Sequence, residues 1–202
     1  MSKLQNKFFY HGAPCAIDKF DYAFTSQGDD HYGSGFYFTS SKRVAVGFCC
    51  ENEVSKNHGI SFTPTLHKAK LDINNPLPLH HVQKLSLNEA RDLIARAPGI
   101  EEKLNDFWEV EYDGGVDKVL IKAAKIYSGI DDELIKTLTK LSINFYGEHT
   151  EAFNTAVRDV LGYDGLIEVV EHETLVVAWF PEQISIVSRV NPTLERDEGL
   201  EP

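Results

Sequence analysis

Residues 33–49 read GSGFYFTSSKRVAVGFC, and the change of pattern inside them decides how the chain is organised. Phe36, Tyr37 and Phe38 favour a strand, and Gly33 and Gly35 alternate into its start. Glycine within a strand pattern marks a bulge or a place where a ligand comes close to the backbone. From Ser41 the residues turn polar and then take a helical period, so a short helix is expected from about Ser41 to Cys50. A strand therefore runs directly into a helix start.

Strand patterns continue on both sides of this stretch. FFYHG at 8–12 precedes it, and ISFTPTLHKAKLDINNP at 60–76 follows it. Asn74, Asn75 and Pro76 close the latter, because proline has no N–H for a ladder. Residues 84–162 are largely helical in pattern. SLNEARDLIARA opens with Ser86 and, three residues on, Glu89, the signature of a capping box. Ile135, Leu138 and Phe145 fall near one face of a second helix. Ala152, Phe153, Ala156, Val157, Val160 and Leu161 line a third, with Gly162 as its stop. Strands return over 163–189: YDGLIEVV, a turn near EHE, TLVVAWF, then PEQISIVS. Strands, helices and strands in that order predict an α+β fold, a single domain over 1–202. Its first and last zones share a sheet around a helical insertion at about 77–148, and an acidic tail over 191–202 is expected to be frayed.

Composition narrows the class. With 202 residues, 42% hydrophobic and 25% charged, the chain can bury a sizeable core. A net charge of −11 argues against a surface that holds nucleic acid mainly by neutralising phosphates. The cysteines, Cys15, Cys49 and Cys50, are odd in number and include an adjacent pair, which fits a reducing compartment. No run has signal-peptide or membrane-span character. A cytoplasmic protein is expected, or one delivered into a target cell by a route the sequence does not show.

Two residues invite chemistry. His11 stands where the strand from Phe8 runs out, placed to point a ring nitrogen into a cleft, and Gly12 after it bares backbone to a ligand. Alone, the pair reads equally as a strand end. Tyr37 is placed to lay its ring on a flat ligand and reads equally as a core aromatic. His80 and His81 with His67, or His149 with His172, lack the spacing of a metal site and read as surface histidines; no metal is expected. Cys49 and Cys50 read as a buried helix end rather than a nucleophile.

Taken together, FYHGAP, GSGFYFTSSKRVAVGFC and YDGLIEVV…LVVAWFPEQI resemble the ADP-ribosyltransferases of the diphtheria-toxin and poly(ADP-ribose) polymerase lineage. The small bacterial and phage members, toxins and effectors among them, are nearest in pattern. The resemblance covers roughly 8–76 and 149–188 and implies a split antiparallel sheet, a His-Tyr-Glu triad and NAD as co-substrate. By it, His11 bonds a ribose hydroxyl, Gly12 bonds the nicotinamide carboxamide through its backbone, and Tyr37 and Phe48 sandwich the ring. Gly35 and Ser41 complete the cofactor-binding set, with Gly33 and Gly35 keeping that face open. The resemblance implies mono-ADP-ribosyl transfer to an acceptor, a protein ahead of a nucleic acid.

The carboxylate departs from the family pattern. Counting back from Gln183 sets its position at Leu175, which has no charge. In an extended strand Glu173 and Glu171 share Leu175's face, and Glu173 stands where the strand leaves its turn. Glu173 is the expected catalytic glutamate, with Glu171 as the alternative register and a solvated hairpin tip as the plain reading. Ala13 and Ala45 replace serines that contact NAD in the polymerases. A non-catalytic NAD-binding or protein-binding module, and an NAD glycohydrolase or RNA-phosphate-removing enzyme on the same fold, remain as alternatives.

Overall fold

The computed structural model describes residues 4, 7–25, 32–50, 59, 61–108, 111, 114–147 and 150–192. They form two compact units: one built from the chain up to Asp30, Gly35–Pro76 and the chain from Gly165, the other from His31–Ser34 and Leu77–Asp164. The second unit begins where the helical insertion was expected and runs on through the last helix. Residues 193–202 of the expected tail, and His149, lie outside the described residues.

The first unit is a sheet. Its strands are β1 (Phe9–Ala13), β2 (Phe36–Thr39), β3 (Thr65–Leu71), β5 (Gly165–Val170), β6 (Glu173–Ala178) and β7 (Ile184–Val190). They lie in the order β5-β6-β2-β1-β3-β7, each neighbour antiparallel. The first and last zones of the sequence thus share one sheet, as expected. The third strand is shorter than its sequence pattern, and Pro64, just before Thr65, shows why: it has no N–H to donate to a ladder.

Residues opposite each other in an antiparallel pair share a face. Phe9, Phe36, Phe38, Ala69, Leu71, Val176 and Ala178 form one buried face, joined by Phe20 and Ile73. On the other face lie Tyr37 opposite Val177 and Thr39 opposite Leu175. Helix α1 (Lys42–Gly47) packs on this second face. Ser41 caps it, its hydroxyl accepting from the Val44 N–H at 3.3 Å, and Phe48 is its C-terminal cap.

The sheet is split at its centre. β1 and β3 pair along the whole of Phe9–Ala13, whereas β1 and β2 pair at Tyr10 opposite Thr39.

The second unit begins with a two-residue strand, β4 (Leu77–Pro78), and continues as helices α2 (Leu87–Ala95), α3 (Ile100–Trp108), α4 (Val116–Ser128), α5 (Leu134–Tyr146) and α6 (Glu151–Leu161). The capping box of α2 is formed in full: Ser86 Oγ accepts from the Glu89 N–H, and Glu89 returns a carboxylate to the Ser86 N–H at 2.7 Å. Gly162 ends α6 in the left-handed conformation that its lack of a Cβ permits. Leu93, Ile94, Leu104, Val119, Ala123, Leu134, Leu138 and Val157 are buried in this unit. Among the described residues no helix is long and apolar enough to cross a membrane.

Candidate active site

His11 stands on β1 at the mouth of the split. Its Nδ1 lies 2.8 Å from the backbone oxygen of Tyr37 on β2. A carbonyl oxygen can only accept, so Nδ1 carries the proton and donates it. In the neutral ring Nε2 is then left as an acceptor. Burial pushes His11 below the ordinary histidine pKa, offset only in part by the bond to Tyr37. The ring packs edge-on to Phe20, centroids 5.1 Å apart, and tilted against Phe38 at 5.5 Å. Two residues on from Phe9 and opposite His67, the ring lies on the Phe9 and Phe38 face of the sheet, not on the face of Tyr37 and Glu173; with one nitrogen held and the other an acceptor, this neutral imidazole can bind a hydroxyl group.

Gly12 is explained by α1 rather than by open space. A Cβ there would collide with the Ala45 carbonyl oxygen and sit 3.1 Å from the Cys49 nitrogen. The missing side chain lets the helix carrying Phe48 settle directly on β1. Gly35 is accounted for in the same way. A Cβ there would be 2.5 Å from Val177 Cγ1 and 2.9 Å from the Ala178 oxygen, so its bareness serves the close pairing of β2 with β6. The space expected to face a planar cofactor at Gly35 is filled by protein.

Tyr37 is half-buried and Phe48 is 65% exposed. Ser41, expected among the cofactor-binding residues, uses its hydroxyl to cap α1, and its N–H donates to Thr39 Oγ1 at 2.9 Å. Of the adjacent cysteines, Cys50 is exposed rather than buried, because the helix ends at Gly47. Cys49 Sγ faces the Thr65 oxygen at 3.3 Å, and burial pushes its thiol pKa up.

The two glutamates on which the sequence left the register open are placed differently. Glu171 is exposed in the two-residue turn between β5 and β6, with φ at 47° in the left-handed region. Glu173 is the first residue of β6 and is half-buried. Thr39 Oγ1 donates to its Oε1 at 2.6 Å. Since Thr39 also accepts from the Ser41 N–H, a short chain of hydrogen bonds runs from the α1 start through Thr39 to the carboxylate. By strand alternation Glu173 shares the face of Tyr37, Thr39 and Leu175. Glu168 on β5 is opposite Leu175, which adds a second carboxylate to the same face.

Three residues escaped the sequence reading: Thr39, Glu168 and the structural use of His67. Thr39 ends the strand in the quoted stretch, where a hydroxyl at a strand-to-helix junction signals a backbone or side-chain bond. His67 was expected, with His80 and His81, to be a surface histidine, and the structure overturns this. It is fully buried on β3, opposite His11. Its Nε2 accepts the Ile17 N–H at 2.8 Å, so its Nδ1 bears the proton facing the His11 oxygen at 3.3 Å. Burial lowers its pKa to about 4, with His11 and Arg189 adding to the effect. Among the described residues no group of three or more ligating side chains could hold a metal ion.

A split antiparallel sheet with a short helix laid on its first strand agrees with the fold of an ADP-ribosyltransferase. Residues 5–194 match the family described as ADP-ribosyltransferase in polyvalent proteins, and the chain belongs to that family. It is accordingly a transferase of the ADP-ribosyl class. None of the curated proteins matches it.

Proposed function

We propose that the chain is an NAD-dependent mono-ADP-ribosyltransferase that uses Glu173 as its carboxylate and a protein as its acceptor. The observation that carries this reading is the Thr39–Glu173 hydrogen bond of 2.6 Å, which anchors a carboxylate on the face that Tyr37 shares. Two features support NAD as the co-substrate. His11 Nε2 is an acceptor suited to a ribose hydroxyl, and Tyr37 with the exposed Phe48 supplies aromatic faces for nicotinamide.

The chemistry follows from charge. The C1′–N bond of NAD breaks, its electron pair goes to the nicotinamide nitrogen, and the positive charge passes to the ribose. Glu173 stabilises that cationic sugar and aligns the acceptor, whose nucleophilic atom bonds C1′ and loses its proton. A group that acts on charge developed only in the transition state acts on rate more than on binding. Incubating the protein with labelled NAD and lysate, then identifying labelled species by mass spectrometry, tests the proposal. Labelled protein supports it. Free ADP-ribose and nicotinamide alone would make the chain a glycohydrolase.

A second reading, a non-catalytic NAD-binding module, is favoured by Leu175 standing where the family pattern sets its glutamate. NAD binding with no release of nicotinamide would establish it.

A further inference from the structure

The buried histidine opposite His11 is used twice. His67 Nε2 accepts the Ile17 N–H at 2.8 Å, and Arg189 Nε donates to the Ile17 oxygen at 2.8 Å, so the Ile17 residue is held at both ends. Three residues on, Phe20 is 5% exposed and packs edge-on to the His11 ring. From its other nitrogen His67 reaches the His11 carbonyl. We infer that His67 is a positioning residue for the proposed nucleotide site: it pins the Ile17–Phe20 segment against His11 and so keeps the ring where the Tyr37 carbonyl can hold its Nδ1 proton and leave Nε2 for the ligand.

The physical argument is one of confinement. An imidazole can rotate and exchange its tautomer unless its neighbours decide the matter. Tyr37 fixes one nitrogen of His11, and Phe20 and Phe38 limit how the ring can turn. Phe20 keeps its place only if the segment before it is anchored, and that anchor is a histidine that must present an unprotonated Nε2. A leucine or phenylalanine of similar volume would fill the space on β3 but leave the half-buried Ile17 N–H without its acceptor. A histidine in a core position of a strand is a costly choice for packing alone.

This inference rests on the reading of His11 as a ribose-binding residue, so the test separates the two. Nitrogen-15 NMR of the imidazoles in the full chain should show both His11 and His67 as single Nδ1–H tautomers. His67→Phe should let His11 exchange between tautomers and raise the KM for NAD about tenfold with kcat within about threefold, because binding geometry rather than the reacting carboxylate is disturbed. His67→Gln restores an acceptor for Ile17 and should return KM to within about threefold of wild type. If His67→Phe does not fold, His67→Asn, which is too short to reach Ile17, should show the same raised KM. An Nε2–H tautomer at His67 in the wild type, a single unchanged His11 tautomer in the variant that lacks the acceptor, or equal KM values throughout would overturn the proposal. Tautomers as assigned in a chain that never cleaves NAD would defeat the enzymatic reading and leave the positioning of His11 standing.

Discussion

The sheet unit and the helical unit bury polar side chains to different ends. In the sheet unit His67, Thr39 and Gln183 are buried, and each binds a segment entering or leaving a strand. Gln183 Oε1 accepts from the N–H groups of both Trp179 and Phe180, at 3.1 and 3.0 Å. In the helical unit Thr137 Oγ1 and Ser142 Oγ are buried on α5 with no hydrogen-bond partner among the described residues. A helix closes its own backbone bonds and needs help only at its ends, whereas strand ends and the split must be tied down from outside. The comparison teaches that polar changes in the sheet unit should reach the site, and changes at the unpartnered hydroxyls of α5 should alter stability alone.

The strongest attempt to break this contrast is Glu173→Gln, which removes charge and keeps shape. Transfer should fall at least about 100-fold with NAD affinity within a few-fold, the scale of losing one preorganised electrostatic contact. Glu168→Gln and Glu171→Gln, run in the same assay, should each stay within about threefold of wild type by the same logic. A dead Glu168→Gln beside an active Glu173→Gln would move the carboxylate one strand over.

Gly12→Ala comes next. Its Cβ meets the Ala45 carbonyl, so α1 must lift and carry Phe48 with it. A stability loss of about 1–3 kcal/mol, as for other overpacked sites, should appear in denaturant unfolding, together with weakened NAD binding. Full stability would mean that α1 does not need its close approach to β1.

Tyr37→Ala should weaken NAD binding by about 1–3 kcal/mol, the scale of losing one face of a stack, while unfolding stays close to wild type. Titration of a folded variant with unchanged affinity would remove Tyr37 from the ligand.

Acid should sharpen the contrast from the other side. His67 has a pKa of about 4 when folded against the ordinary 6.5, so the folded state disfavours its protonation. The stability this neutral histidine contributes is fully present above pH 6.5 and is lost as pH falls towards about 4. Melting curves across that range should fall more steeply for wild type than for His67→Gln. The smallest effect belongs to the helices. Thr137→Val replaces an unpartnered hydroxyl with a methyl group and should be neutral or stabilising by up to about 1 kcal/mol, with NAD turnover unchanged. A change in turnover there would dissolve the distinction between the two units.

Much of the fold was legible because it rests on local pattern. The Ser86–Glu89 box, the Gly162 stop, the strand-to-helix junction at Ser41 and the return to strands near Gly165 each depend on residues close in sequence. The order of strands and helices then restricts the layers available. The strand before Thr65 was overextended, since the alternation around Phe62 looks the same whether or not Pro64 interrupts a ladder. The candidate site was legible only in part. His11 and Tyr37 drew notice by type and place, Phe48 and the roles of all three came through the resemblance, and the reasons for Gly12 and Gly35 could not be read at all. Those reasons are an oxygen of α1 and a side chain of β6, far off in sequence.

By itself the sequence determined the α+β order of the chain, because periodicity and capping are written in short windows, while its class came through a resemblance of motifs. Only the tertiary structure decided which carboxylate is anchored. Glu171 and Glu173 differ by two positions in one hairpin, and neither carries a local mark. The choice is made by Thr39, 134 residues away in sequence, whose hydroxyl reaches Glu173 when β2 and β6 pair. The same holds for His67, a strand histidine like any other until β1 lies beside β3 and Ile17 turns its N–H inward. Hydrogen bonds between distant segments carry no periodicity, so folding has to bring the partners together before either can be recognised.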